Sequence, residues 1–471
     1  MATFVFEIQK AEGKYIYQQI YKNIKGNILD GELLPNEKLP SKRKLANQLE
    51  VSVNSVTNAY EQLLAEGYIY TKERKGYYVE NITQFITKDK SEKYKLPSDL
   101  KEAEVDREGW LSLSHMTSDT SSFPFSEWVK CQDRAIKNHR AELSEIPHPQ
   151  GPYLVRETIS NLIESSRGIV CEPEQIVIGA GTQSLIRNLM NIPRANTVVA
   201  VEDPGYSRVY KMLKSMDMHV HPIPLDEDGI DIHQIESTNS NVVFVTPSHQ
   251  FPTGKIMPIS RRIELLNWSV KKEHRYIVED DYDSEFKYKT DNIPSLQSLD
   301  RNRRVIYTGT FSKTMLPGLR ISYLVLPPDL LREYRTLYSD LIQGSNTLSL
   351  FTLHYFIESG EYTRHVKRMN HLYETKRTLL INHLFQKFGT TLEVDDTSAG
   401  LHFLARFETD KCYKEIEEWA KIEKLEIYTM MRFMLRKVVT KRNYIELIIG
   451  FANISEENIQ EAVDRLYRVI K

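Results

Sequence analysis

Between Asn81 and Glu108 the chain is a polar break. It holds K-D-K-S-E-K-Y-K and D-L-K-E-A-E-V-D-R-E, and the few apolar residues among them are too few to build a core. A chain of 471 residues is also longer than one core usually serves. The break therefore divides the chain into residues 1–80, a linker over 81–108, and residues 109–471. Each body has to be read for its own periodicity.

In the first body, Ile16, Ile20, Ile24 and Ile28 recur every four residues, the stripe of a helix from Lys14 to Leu29. Ser41 is placed to cap a second helix that opens on Lys42, Arg43 and Lys44. Ser52 is placed to cap a third, running to about Ala65, with Val56, Tyr60, Leu63 and Leu64 facing inward. Tyr68-Ile69-Tyr70 and Tyr77-Tyr78-Val79 flank Lys72-Glu73-Arg74-Lys75-Gly76, the pattern of a hairpin with a basic tip. Three helices and a hairpin make a winged helix-turn-helix, whose third helix enters a major groove. A small helical cap with a solvated hairpin has the same outline. Overall charge does not separate the two, since residues 1–80 carry 11 Lys+Arg and 10 Asp+Glu. The placement of the basic residues, at the second helix start and the hairpin tip, favours double-stranded DNA.

The second body alternates short apolar runs with helical patterns. Strands are expected at Gln175–Gly179, Thr197–Val201, Val242–Thr246 and Tyr276–Asp281, which is α/β with a mostly parallel sheet. Another pair, Val305–Tyr307 and Ile321–Leu326, encloses T-G-T-F-S-K-T-M-L-P-G-L-R. Lys313 thus lies in a loop between apolar strands, where desolvation frees an amine for imine chemistry. Gly181, Thr182 and Gln183 form a turn into a helix suited to a phosphate. Tyr206 offers an aromatic face, Asp280 an acid for a ring nitrogen, and Tyr282 a hydroxyl for a ring oxygen. Ser312 and Arg320 suit a phosphate. A lysine, an acid, an aromatic and an anion cup are what pyridoxal 5'-phosphate requires of a protein.

Bulk properties narrow the setting. Net charge is −2 and pI about 6.7, which excludes a uniformly basic coat but not a local basic patch. Cys131, Cys171 and Cys412 are far apart and odd in number, against a disulfide framework or a structural zinc site and in keeping with a cytoplasmic setting. No apolar run reaches membrane-spanning length.

The motifs L-P-S-K-R-K-L-A, V-S-x-N-S-V-x-x-A-Y and L-x-x-E-G-Y-I-Y resemble the GntR family of bacterial regulators. Val53 stands where that family usually has arginine, so the resemblance shifts the expected DNA readout to Ser41, Arg43, Asn54, Ser55 and Thr57, with Lys72, Arg74 and Lys75 on the wing. Residues 109–471 resemble fold-type I aminotransferases, with a small subdomain from about residue 361. In P-T-G (Pro252–Gly254), Phe251 replaces that family's asparagine. The combination resembles the MocR subfamily. H-Q-F-P-T-G, E-D-D-Y-D-S-E-F and G-T-F-S-K-x-x-L-P-G-L-R-I-S-Y are similar to its γ-aminobutyrate-responsive, GabR-type members. That resemblance implies a homodimer with exchanged DNA-reading domains and an amino acid effector, expected to form an external aldimine in exchange for Lys313. Arg208 and Arg432 would hold the effector carboxylate. Three outcomes stay open at this point: a sensor-regulator, an aminotransferase with a vestigial DNA reader, and a protein with neither activity.

Overall fold

The computed structural model describes residues 15–82, 96–102, 106–117, 119–192, 197–288, 293–395, 399–436 and 443–471. Most of the stretch read as a linker lies outside them. The chain separates into two compact units, Met1–Val105 and Asp106–Lys471.

The first unit builds its core from its own helices. In α1 (Ile16–Leu29), Ile20, Ile24 and Ile28 are buried. Helix α2 (Lys42–Gln48) is capped by Ser41, whose side chain accepts from Lys44 N; α3 (Val53–Ala65) is capped by Ser52, accepting from Ser55 N. The inward face of α3 is Val56, Ala59, Tyr60 and Leu63. Leu64, expected inside, is 39% exposed, because at 100° per residue it falls beyond the Tyr60 edge of the buried face, while Ala59 completes the other side. Strands β1 (Ile69–Lys72) and β2 (Gly76–Val79) pair antiparallel, with Lys72 opposite Gly76. Arg74 (φ 56°) and Gly76 (φ 108°) take the left-handed conformations that close the tip.

The second unit opens with β3 (Leu111–Ser112), α4 (Phe125–Asn138) and α5 (Tyr153–Arg167). A run of α/β units follows: β4 (Ile176–Gly179), α6 (Thr182–Met190), β5 (Val198–Asp203), α7 (Ser207–Ser215), β6 (His219–Asp226), β7 (Gly229–Ile230), α8 (Ile232–Ser237), β8 (Val242–Val245), α9 (Ile259–Val270) and β9 (Tyr276–Asp281). Then come β10 (Val305–Thr310) and β11 (Ser322–Val325). The sheet order is β4-β11-β10-β9-β8-β5-β6-β7. Strands β10, β9, β8, β5 and β6 run parallel to their neighbours in that series, and β11 runs against both β10 and β4. The interior strands β8, β9 and β11 are buried at every position, as helices on both faces require, and so is the edge strand β4.

Beyond α10 (Pro328–Leu337) and α11 (Thr347–Glu358), the long α12 (Glu361–Phe388) leads into β12 (Leu392–Asp395), β13 (His402–Glu408), α13 (Tyr413–Ile422), β14 (Leu425–Glu426), β15 (Tyr428–Thr429), β16 (Tyr444–Gly450) and α14 (Ile459–Ile470). A second sheet has the order β12-β13-β16-β15. The subdomain is not confined to the residues after 361. Strand β3 pairs in parallel with β14, and Leu113 lies in the same core as Phe403, Leu447 and Phe451. A two-residue strand carries no period, so the sequence could not show where it docks.

Candidate cofactor site

The site forms where β5, β8, β9 and β10 end. At β9, Glu279, Asp280 and Asp281 are successive acids, and strand alternation sends them to different faces. Glu279 accepts the backbone N–H groups of Leu296 (2.7 Å) and Gln297 (2.8 Å). Asp281 takes Arg167 Nε at 2.7 Å and Tyr307 Oη at 2.6 Å. Asp280 faces the opposite way, into a cavity, where Thr308 Oγ1 donates to it at 2.7 Å. Burial, with Asp281 and Asp283 nearby, pushes its carboxyl up to about 7. A cation placed against it would restore its charge.

Lys313 lies in the loop between β10 and β11, in the wall of the same cavity. Its Nζ donates to His115 O at 2.6 Å. Burial pulls the amine down to about 8; Asp283 opposes that shift and Arg208 adds to it. The loop is held from behind: Thr314 O contacts His365 Nε2 at 2.9 Å, and Thr314 Oγ1 contacts Tyr362 Oη at 3.3 Å.

A cup suited to a phosphate is built from backbone and hydroxyls. Gly181 (φ 105°) precedes the first turn of α6, and a Cβ there would fall 2.0 Å from Arg320 Nη2. Close approach of the guanidinium to this helix N-terminus therefore requires glycine. Thr182 and Gln183 line the cavity from α6. Thr182 Oγ1 reaches Ser322 Oγ at 3.4 Å, and Ser322 Oγ donates to Thr310 Oγ1 at 2.8 Å. The Ser312 hydroxyl lines this side too, with its Oγ buried and without a partner among the described residues. A buried hydroxyl of that kind is costly unless a ligand oxygen satisfies it. Amine, acid, cup and orphan hydroxyl together fit pyridoxal 5'-phosphate. When bound, that group supplies a ring that withdraws electrons from the carbon next to a substrate nitrogen.

The cavity measures about 360 Å³. Its wall includes Thr182, Gln183, Tyr206, Arg208, Asp280, Tyr282, Ser312, Lys313 and Arg320, and Gly181 shapes it from behind. Tyr206 meets the Phe251 ring edge-on, with centroids 5.9 Å apart. Arg208 sits at the first turn of α7, with Nη2 3.2 Å from Met116 Sδ. Arg432 does not line the cavity. Its Nε donates to Glu417 Oε1 at 3.1 Å and its guanidinium lies 5.0 Å from the Tyr428 ring; the neighbouring Phe433 lines the wall instead. The clamp of Arg208 with Arg432 is therefore not seen, because an ion pair holds the second arginine elsewhere. The Tyr282 hydroxyl, expected to face a ring oxygen, lies 2.9 Å from His249 Nδ1 and 3.0 Å from His249 O. Sequence reasoning missed His115, Met116, Thr310 and Ser322, all of which line the cavity. Thr310 and Ser322 carried a signal, since they face each other in the register of the two strands around the lysine loop.

In the first unit, Ser41, Arg43 and Asn54 are exposed, as are Lys72, Arg74 and Lys75 on the wing. Lys72 Nζ lies 4.7 Å from the Tyr78 ring. Val53 at the start of α3 is 42% exposed. Ser55 and Thr57 are half-buried, and Ser55 Oγ lies 2.9 Å from the cap hydroxyl of Ser52, which gives Ser55 a structural bond.

Residues 16–79 match the family described as bacterial regulatory proteins, gntR family, and residues 110–466 match aminotransferase class I and II. The probable rhizopine catabolism regulatory protein MocR of Rhizobium meliloti is 30% identical, over 83% of this chain and 82% of its own length. This chain belongs to the MocR subfamily of GntR-type regulators. Another relative, the HTH-type transcriptional regulator YdeL of Bacillus subtilis (strain 168), is 38% identical over 96% of both chains. Among solved structures, the multiple substrate aminotransferase of Thermococcus profundus superposes with a TM-score of 0.69 at 22% identity, covering 79% of this chain and 96% of its own. That likeness and the two family matches together give the fold of this MocR-type chain: a GntR helix-turn-helix followed by a fold-type I aminotransferase domain.

Proposed function

We propose that this MocR-type chain is a pyridoxal 5'-phosphate-dependent transcription regulator that senses an amino acid, with γ-aminobutyrate the first candidate. The observation that carries this reading is a cavity holding Lys313, Asp280 and the Gly181–Arg320 cup in the same chain as a capped helix-turn-helix with an exposed basic wing. Arg208 supplies a guanidinium at the cavity with no carboxylate partner among the described residues, which suits an effector carboxylate. The effector amine takes the place of the Lys313 amine, and this exchange is the event transmitted to DNA. A homodimer is part of the reading. Phe125, Val129 and Ile136 stand 51%, 56% and 38% exposed along α4, an apolar face suited to a second copy.

The test combines colour with DNA binding. Wild-type protein loaded with pyridoxal 5'-phosphate is expected to show a visible absorption band that Lys313→Ala lacks. Amino acids, γ-aminobutyrate included, are then titrated while the band and operator affinity are followed together. A band that responds to no amino acid, or operator binding that ignores every one of them, overturns the sensor reading. An aminotransferase is the second reading, favoured by the Lys313 amine held down at about 8 beside an intact acid site. Turnover with a keto acid at roughly 1 per second or faster would establish it.

A further inference from the structure

Beneath the cavity lies a buried cluster that the reading above leaves unused: His249, Asp283 and His402, each no more than 2% exposed. His249 follows β8 and Asp283 follows β9, while His402 opens β13 of the small subdomain. Both Asp283 oxygens lie near His249 Nδ1, at 3.0 and 3.2 Å. Leu401 N also donates to Asp283, at 3.2 Å, and fixes the carboxylate. Two acceptor oxygens against one ring nitrogen require that nitrogen to carry the hydrogen.

The consequence falls on Tyr282. Its Oη lies 2.9 Å from the same Nδ1 and 3.0 Å from His249 O. A protonated Nδ1 cannot accept, so Oη takes a share of the Nδ1–H. The phenol proton is left for the His249 carbonyl or for an acceptor in the cavity. Tyr282 remains a phenol, because burial and the acids Asp283, Asp280, Glu202 and Asp281 all oppose its ionisation. Burial, with His249 and His115 beside it, keeps His402 from charging, so it adds no competing cation. His402 is occupied by Pro252 O, 3.2 Å from its Nε2. Phe251, also in the cavity wall, has no side-chain donor to offer.

We propose that His249, fixed by Asp283, is a positioning residue that sets Tyr282 as the hydrogen-bond donor to the ring oxygen of the bound cofactor. An anionic ring oxygen outcompetes the His249 carbonyl for the phenol proton, since charge-assisted bonds are the stronger. The inference rests on the cofactor reading given above.

The full chain is loaded with pyridoxal 5'-phosphate and its visible band titrated with pH. A donor to the ring oxygen favours the deprotonated form of the lysine-bound cofactor, so losing it raises the band's pKa. Tyr282→Phe is expected to raise it by about one pH unit or more, the size of a charge-assisted bond. His249→Gln, which lacks an N–H at the Nδ1 position, is expected to shift the band the same way. His249→Asn, which keeps one, is expected to titrate with the wild type. If His249→Gln also titrates with the wild type while Tyr282→Phe is shifted, or if His249→Asn and His249→Gln shift alike, His249 is only packing and the proposal fails. Should His249→Gln fail to fold by circular dichroism, Asp283→Asn takes its place: it frees Nδ1 from its fixed acceptor, and an unshifted band overturns the proposal. Absence of any band in the wild type would instead sink the cofactor reading itself, so the two failures are distinguishable.

Discussion

Asp280 is a buried acid whose charge the folded protein opposes. A carboxyl with a raised folded pKa binds its proton more tightly folded than unfolded, so its contribution makes stability fall as pH climbs from its ordinary range to about 7. Asp280→Asn keeps an acceptor for Thr308 and removes the charge. The cofactor-free variant is expected to be more stable than wild type at pH 8, by roughly 1–3 kcal/mol, with the gain gone near pH 4; thermal melts at both pH values check this. The same change should weaken cofactor binding, because the ring nitrogen loses its counter-charge. Gly181→Ala places a Cβ 2.0 Å from Arg320 Nη2 and forces alanine to φ 105°. Loss of about tenfold or more in affinity for pyridoxal 5'-phosphate is expected, from roughly 1–2 kcal/mol of backbone strain and a displaced guanidinium. Equilibrium titration of the visible band measures it.

At the scale of elements, two short helices depend on their caps. Ser52 satisfies the first turn of α3, and Ser52→Ala is expected to destabilise the first unit by about 1 kcal/mol. The wing is electrostatic: Lys72, Arg74 and Lys75 are all exposed. Replacing Arg74 and Lys75 with alanine should weaken binding to all DNA sequences alike. It should also flatten the salt dependence by about one unit of slope per lost phosphate contact, measured by operator binding at several salt concentrations. Arg43→Ala is expected to alter sequence preference as well, if its exposed guanidinium reads a base edge. Much of this level was legible in the sequence. Ser41 and Ser52 announced two helix starts, and the apolar runs around Lys313 announced β10 and β11. Leu64 was misplaced because an apolar stripe such as Val56, Tyr60, Leu63 and Leu64 gives the face of a helix only to within one residue's angle. Strand β3 was missed because two residues have no period.

Across the whole molecule, the first unit carries its own core: Ile20, Ile24, Leu45, Val56, Tyr60 and Leu63 pack with Ile69 and Val79. A fragment of residues 1–82 is therefore expected to fold alone and bind DNA non-specifically; a dispersed amide spectrum and a salt-sensitive binding isotherm are the measurements. In the second unit the cavity gathers residues that are remote in sequence. His115 lies 198 residues from Lys313 yet bonds to it, and Ser322 and Thr182, 140 residues apart, share a hydroxyl network.

The sequence by itself determined which side chains gather at the cavity. Lysine, acid, aromatic and small-residue turn each sit at the end of an apolar strand, and strand ends in such a sheet converge. Alternation along β9 even fixed the parity by which Asp280 and Asp281 face apart. The tertiary structure alone decided what each of those groups touches. It set Arg432 on Glu417 rather than at the cavity, and tied Tyr282 to His249 and Asp283. It brought Leu113 and Phe286 into a core otherwise built from the C-terminal third. The physical reason is range: periodicity and capping act within a few residues and leave a local trace, whereas ion pairs, hydroxyl networks and short-strand pairings join distant segments and exist only once the chain has closed on itself.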